Sequence, residues 1–150
     1  MLKGISPAIS PELLKILAEM GHGDTIVLGD CNYPAISTGK RFVRADGVKA
    51  TDLLDGIMKI FPLDYAETKT EGGCVTLMKS DDHPDMKPEI WSDFKNIIEK
   101  YEPHATYDYD GRFGFYDKAK DAFACVQTSE EKYFGCIILR KGVWFSKNNK

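Results

Sequence analysis

The stretch Ser10–Gly29, SPELLKILAEMGHGDTIVLG, decides the fold. Its first half has the marks of a helix. Ser10 is placed to cap it, Pro11 suits the first helical position, and Glu12 sits at the positive end of the dipole. Leu13, Leu14, Leu17 and Met20 form an apolar stripe, and Gly21 is a natural C-terminal stop. Thr25–Leu28 is then a short apolar run between Asp24 and Gly29, which is the pattern of a buried strand.

Outward from this unit, helical and strand patterns alternate. A polar loop is expected over Gly29–Lys40, and a short strand over Arg41–Arg44. Thr51 is expected to cap a second helix with Leu53, Leu54, Ile57 and Met58 inward and Pro62 beyond its end. Cys74–Met78 reads as a strand, and Ser80–Pro88 as a polar loop. Pro88 opens a strongly periodic helix through Ile90, Trp91, Phe94, Ile97, Ile98 and Tyr101. A strand near Ala105–Tyr109, a turn at Asp110-Gly111 and a helix over Phe115–Phe123 follow. Phe123–Gln127 and Cys136–Leu139 are the last strands. This order predicts an α/β fold: one domain over residues 1–150, with a mostly parallel central sheet flanked by helices. The polar, basic stretch Ser146–Lys150 is expected to fray.

Composition narrows the function. Apolar residues make up 43% of the chain and charged residues 29%, which is ordinary for a globular domain and argues against disorder. The net charge of −3 gives no basic excess to neutralise phosphates, so nucleic acid is not the expected partner. No apolar run suits a signal peptide or a membrane span, which points to the cytoplasm. Cys74, Cys125 and Cys136 lie in apolar runs and read as reduced core residues. The cysteine spacings match no standard zinc pattern, so no metal or other cofactor is expected.

The chemistry-bearing residues gather around the same opening stretch. A histidine transfers protons near neutral pH, and Gly21 and Gly23 leave the backbone free around His22. Taken alone, Gly-His-Gly reads first as a helix terminator. Asp30 follows the strand's carboxyl end, where ligands collect in open α/β sheets, but taken alone Asp30 and Asn32 read first as turn residues. Arg112 sits among Phe113, Phe115 and Tyr116, a combination that binds hydroxyls while a ring stacks, or else a surface Arg beside core aromatics. His83 and His104 read as solvated, and no ligand spacing supports a metal at His22, Asp30 and Cys31. His22 and Asp30 flank one strand at opposite ends, more than about 10 Å apart at roughly 3.3 Å per residue. A site using both is expected to be completed by a neighbouring subunit.

Read together, the residues resemble the L-fucose mutarotase and D-ribose pyranase family over nearly the whole chain. The fucose branch is matched at Met1–Lys3, Ile5–Pro7, Ile9–Lys15, Leu17–Asp24, Gly29–Pro34, Arg44–Gly47, Arg112–Tyr116 and Leu139–Gly142. The resemblance implies cofactor-free exchange of the α and β anomers of a free pyranose, with His22 as the proton-transferring residue. Asp30 and Arg112 match sugar-binding positions, and Tyr116 is a candidate for stacking or a further hydrogen bond. The family's ring assembly, typically a decamer with sites where subunits meet, is implied as well.

One segment departs from the family pattern. Where the fucose branch carries Tyr-Gly-Asn against the sugar, this chain has Phe134-Gly135-Cys136. Two neutral hydrogen bonds at roughly 0.5–1.5 kcal/mol each are lost, enough to weaken binding about tenfold. Phe134 still offers a stacking face and Gly135 its amide. Two other readings follow: a sugar-binding module without turnover, and a ribose-type pyranase.

Overall fold

The computed structural model describes residues 1–65 and 72–145. Among them, α1 spans Pro11–Glu19, β1 Thr25–Gly29, α2 Ala35–Thr38, β2 Phe42–Ala45 and α3 Ala50–Met58. β3 spans Val75–Met78, α4 Glu89–Tyr101, β4 Tyr107–Asp110, α5 Arg112–Lys120, β5 Ala124–Thr128 and β6 Ile137–Arg140. The strands form one sheet in the order β2-β5-β1-β6-β3-β4. β2, β5 and β1 pair in parallel, as do β3 and β4, and β6 runs antiparallel between β1 and β3. The expected α/β fold with a mostly parallel sheet is what the chain adopts.

Strand alternation divides the core in two. Ile26, Leu28, Val75, Leu77, Ile137 and Leu139 face α1, α3 and α4 and build the larger core. Val27, Cys125, Met78, Cys136 and Ile138 face the other way, against Phe115 and Ala119 of α5 and Ala35 of α2. Cys74, Cys125 and Cys136 are free and buried, and Cys31 is free and exposed. The expected core role of those three holds.

Several boundaries differ from the sequence expectation. Ser10 caps α1 by accepting the Leu13 N–H at 3.1 Å, as read, but the helix ends at Glu19 and Met20 is already extended. The Gly21 N–H is taken instead by Asp24 Oδ2 at 2.7 Å, so Gly21 is not the stop. α3 begins at Ala50 with Lys49 at its cap, which places Thr51 inside the first turn. The loop Gly29–Lys40 contains the short helix α2. α5 starts three residues before the expected Phe115, because Asp81 Oδ2 accepts the Arg112 N–H at 3.0 Å just after Gly111. Phe123 leaves that helix to donate its N–H to the Thr25 carbonyl at 2.8 Å, leading into β5. The expected frayed tail, 146–150, lies outside the described residues. Among the described residues, no helix is long and apolar enough to cross a membrane.

Candidate active site

His22 follows α1 and precedes β1. Gly23, beside it, has φ +85°, the left-handed conformation that only glycine adopts without strain. The segment is held from the far end of the chain. Gly23 donates to the Lys141 carbonyl, and Lys141 donates to the Asp24 carbonyl, both at 2.8 Å. The Lys141 ammonium donates to the Leu17 and Met20 carbonyls at 2.8 and 2.5 Å, placing a cation on the negative end of α1.

The His22 ring is half exposed, and its Nε2 lies 3.2 Å from Asp64 Oδ1. Asp64 is buried, and its second carboxylate oxygen accepts Arg140 Nε at 3.0 Å. The guanidinium also donates to the carbonyls of Asp64 at 3.3 Å and Gly73 at 3.2 Å, and the Asp64 N–H returns to the Arg140 carbonyl at 3.1 Å. A buried carboxylate fixed by an arginine thus meets the imidazole. When it accepts Nε2–H, the lone pair is on Nδ1, the nitrogen left for a substrate. Sequence reasoning missed Asp64 and Arg140. They lie 42 and 118 residues from His22 in the chain, and no local periodicity joins them. For Asp64 the hint is an acidic residue following the apolar Phe61-Pro62-Leu63, and Arg140 lies in the matched stretch Leu139–Gly142.

Asp30, at the carboxyl end of β1, belongs to a different cluster. Its carboxylate accepts the Asn32 N–H at 2.9 Å, an Asx turn, as the turn reading of Asp30 expects. The Cys136 sulfur accepts the Asp30 N–H at 3.5 Å, and its thiol stands against the carboxylate. Burial raises the Asp30 carboxyl above its ordinary range and pushes the Cys136 thiol well up. Tyr116 is half-buried, with its ring edge-on to Tyr33 at 5.7 Å. Burial raises its phenol too, so it remains an O–H donor at neutral pH. Phe134 packs on the same small core at φ +58°, a left-handed conformation that costs a non-glycine residue about 1 kcal/mol or more. Arg112 is exposed at the first turn of α5, with its guanidinium 4.9 Å over the Phe113 ring and close enough to act on the Tyr116 hydroxyl. The Gly135 N–H is spent on the Lys132 carbonyl at 3.2 Å.

The structure therefore brings together Asp30, Tyr116, Phe134 and Cys136, with Arg112 at their edge, and separates them from His22. The five residues of β1 lie between His22 and Asp30, about 16 Å at roughly 3.3 Å per residue. The trio His22, Asp30 and Cys31 is likewise not gathered in one subunit. A cleft of about 310 Å³ opens between Gly23, Gly73, Thr76, Asp108, Lys118 and Arg140, on the sheet face that carries α5. It touches the Arg140 support, but neither His22 nor Asp30 lines it.

Comparison with known proteins places this arrangement. The sequence matches the RbsD / FucU transport protein family over residues 3–144. The chain is 40% identical to the fucose mutarotase from Streptococcus pneumoniae, whose crystal structure is in complex with L-fucose. That match covers 96% of this chain and 100% of the other, with a TM-score of 0.86. FucU from Bifidobacterium longum is 37% identical over 95% of this chain and 100% of its own, again with a TM-score of 0.86. Bacillus subtilis RbsD, complexed with D-ribose, is 20% identical over 91% of this chain and 95% of its own, with a TM-score of 0.67, and shares the fold. With residues 3–144 matched and two relatives above a third identical over nearly their full length, this chain belongs to the RbsD / FucU family.

Proposed function

We propose that the chain is a single sugar mutarotase domain that interconverts the α and β anomers of a free pyranose, with L-fucose as the preferred substrate. The observation that carries this is the His22 imidazole seated on buried Asp64, itself fixed by Arg140. The likeness to a fucose mutarotase over the full length supports the choice of sugar.

The reaction needs a proton moved and no electron. His22 Nδ1 takes the proton of the anomeric hydroxyl as the bond from that carbon to the ring oxygen breaks. The aldehyde forms, and the ring oxygen gains a proton from water or from Tyr116. Rotation about the bond to the carbonyl carbon exposes the other face, and the reverse steps close the ring. Asp30 and Arg112 hold the remaining hydroxyls, and Phe134 and Tyr116 offer apolar faces. The Cys136 sulfur, engaged with Asp30, supplies no amide to the sugar. Positioned acid–base catalysis of this kind is worth about 100- to 10,000-fold.

The half-site at His22 and the half-site at Asp30 belong to different copies of the chain in this proposal. A ring of subunits, a decamer in the family pattern, brings one copy's imidazole to the next copy's Asp30 cluster. Exposed Ile36, Phe113, Tyr133, Trp144 and Phe145 are apolar surface suited to burial between copies. The cytoplasm, where free sugars are processed, is the expected compartment.

Exchange NMR on the anomeric protons tests the proposal. The protein is expected to speed exchange of L-fucose more than of D-galactose or D-ribose, and His22→Ala to remove most of that acceleration without unfolding the chain. Binding of L-fucose with no acceleration would instead mark a sensor. Faster pyran–furan exchange of D-ribose would mark a pyranase.

A further inference from the structure

We propose that Glu130 is a positioning residue, whose buried carboxylate clamps the turn that presents Phe134 to the sugar. This rests on the reading that Phe134 and Asp30 border the bound sugar.

The turn needs a clamp. Gly135 donates to the Lys132 carbonyl at 3.2 Å, so Lys132–Gly135 is a four-residue turn, and its third residue has a left-handed φ. That pattern is a type II turn, whose third position favours Gly or Asn. Here it is Phe134, which relaxes to an extended backbone unless its surroundings prevent it.

Glu130 supplies the restraint. It is 4% exposed, and Oε1 accepts the N–H of both Glu131 and Lys132 at 3.1 Å, fixing the turn's first residue. Its Cγ stands 2.8 Å from where a Cβ on Gly135 would lie, so it packs close against the turn's last residue. Its backbone ties the turn to the other wall of the site. The Glu130 carbonyl accepts the Cys31 N–H at 2.9 Å, and the Glu130 N–H donates to Thr128 Oγ1 at 3.2 Å. That hydroxyl in turn donates to the Gly29 carbonyl at 2.8 Å, beside Asp30. Glu130 therefore links the Asp30 loop to the Phe134 turn, beside the contact of Cys136 with Asp30.

The clamp acts by length and acceptor geometry, so two conservative variants separate it from charge. Glu130→Gln keeps the reach and one acceptor oxygen. Glu130→Asp keeps the charge and loses a methylene. A wall that holds sugar and transition state alike changes KM and spares kcat. Glu130→Asp is expected to raise KM for L-fucose about tenfold, with kcat within about twofold, and Glu130→Gln to stay within about twofold of the parent in both. An unchanged KM in Glu130→Asp would overturn the proposal. So would the reverse order, with Gln impaired and Asp spared, because charge would then be the agent. Hydrogen exchange at the Glu131 and Lys132 amides reads the clamp without any sugar. Protection is expected in the parent and Glu130→Gln and its loss in Glu130→Asp, and equal protection in all three would refute the clamp. Should the parent itself fail to accelerate L-fucose exchange, the functional reading falls, and the amide measurement still decides the role of Glu130.

Discussion

Asp64 combines two roles that substitution can separate. It orients His22, and it neutralises an Arg140 that is only 16% exposed. Asp64→Asn keeps an oxygen for Nε2–H but leaves the guanidinium without its counter-charge. Breaking a buried pair from one side costs about 3 kcal/mol, and losing the carboxylate charge that supports the imidazolium removes a share, about 10- to 100-fold, of the acid–base acceleration. Adding Arg140→Met removes the stranded charge. Denaturant melts and exchange NMR are expected to show stability largely recovered in the double variant and the rate still low. Recovery of the rate along with stability would mean that Asp64 serves the fold alone.

Among the elements, α1 shows most clearly how function was written at its far end. Ser10 caps its start, remote from the chemistry. Lys141 closes its end, two residues from His22. Ser10→Ala is expected to lower stability by about 1 kcal/mol and leave turnover unchanged. Lys141→Met, at a similar cost of about 1–2 kcal/mol, is expected to slow turnover several-fold, because the released helix end carries the imidazole off Asp64. Tm and exchange rates measured side by side check both. The contrast also marks what the sequence could disclose. Ser10-Pro11-Glu12, the helical stripe of α4 and the apolar run of β1 are local signals, and the elements they predict exist. Lys141, Asp64 and Arg140 act over distances of 42 residues or more, which composition and periodicity do not encode. The late start expected for α5 has the same cause, since its cap comes from Asp81, 31 positions earlier. The proposed roles of His22, Asp30 and Arg112 come from the resemblance, with Tyr116 added as a candidate beside them. Their residue types alone left the turn, helix-end and surface readings open.

Across the assembled protein, the geometry of β1 governs the account. One strand holds the proposed proton carrier His22 at one end and the Asp30 cluster proposed to bind hydroxyls at the other, and its pairing on both sides with β5 and β6 prevents it from folding the two together. In the proposed ring each sugar site therefore takes its imidazole from one copy and its Asp30 cluster from another. Two inactive variants, His22→Ala and Asp30→Ala, are consequently complementary. Each alone is expected to leave L-fucose anomer exchange near the uncatalysed rate. When the two are unfolded, mixed in equal amounts and reassembled, random neighbours leave about a quarter of the sites with both residues intact, as heterologous contacts in a closed ring require. Exchange NMR on that mixture is predicted to recover about a quarter of the parent acceleration. A mixture as slow as its parts would contradict the shared site and return His22 and Asp30 to separate roles.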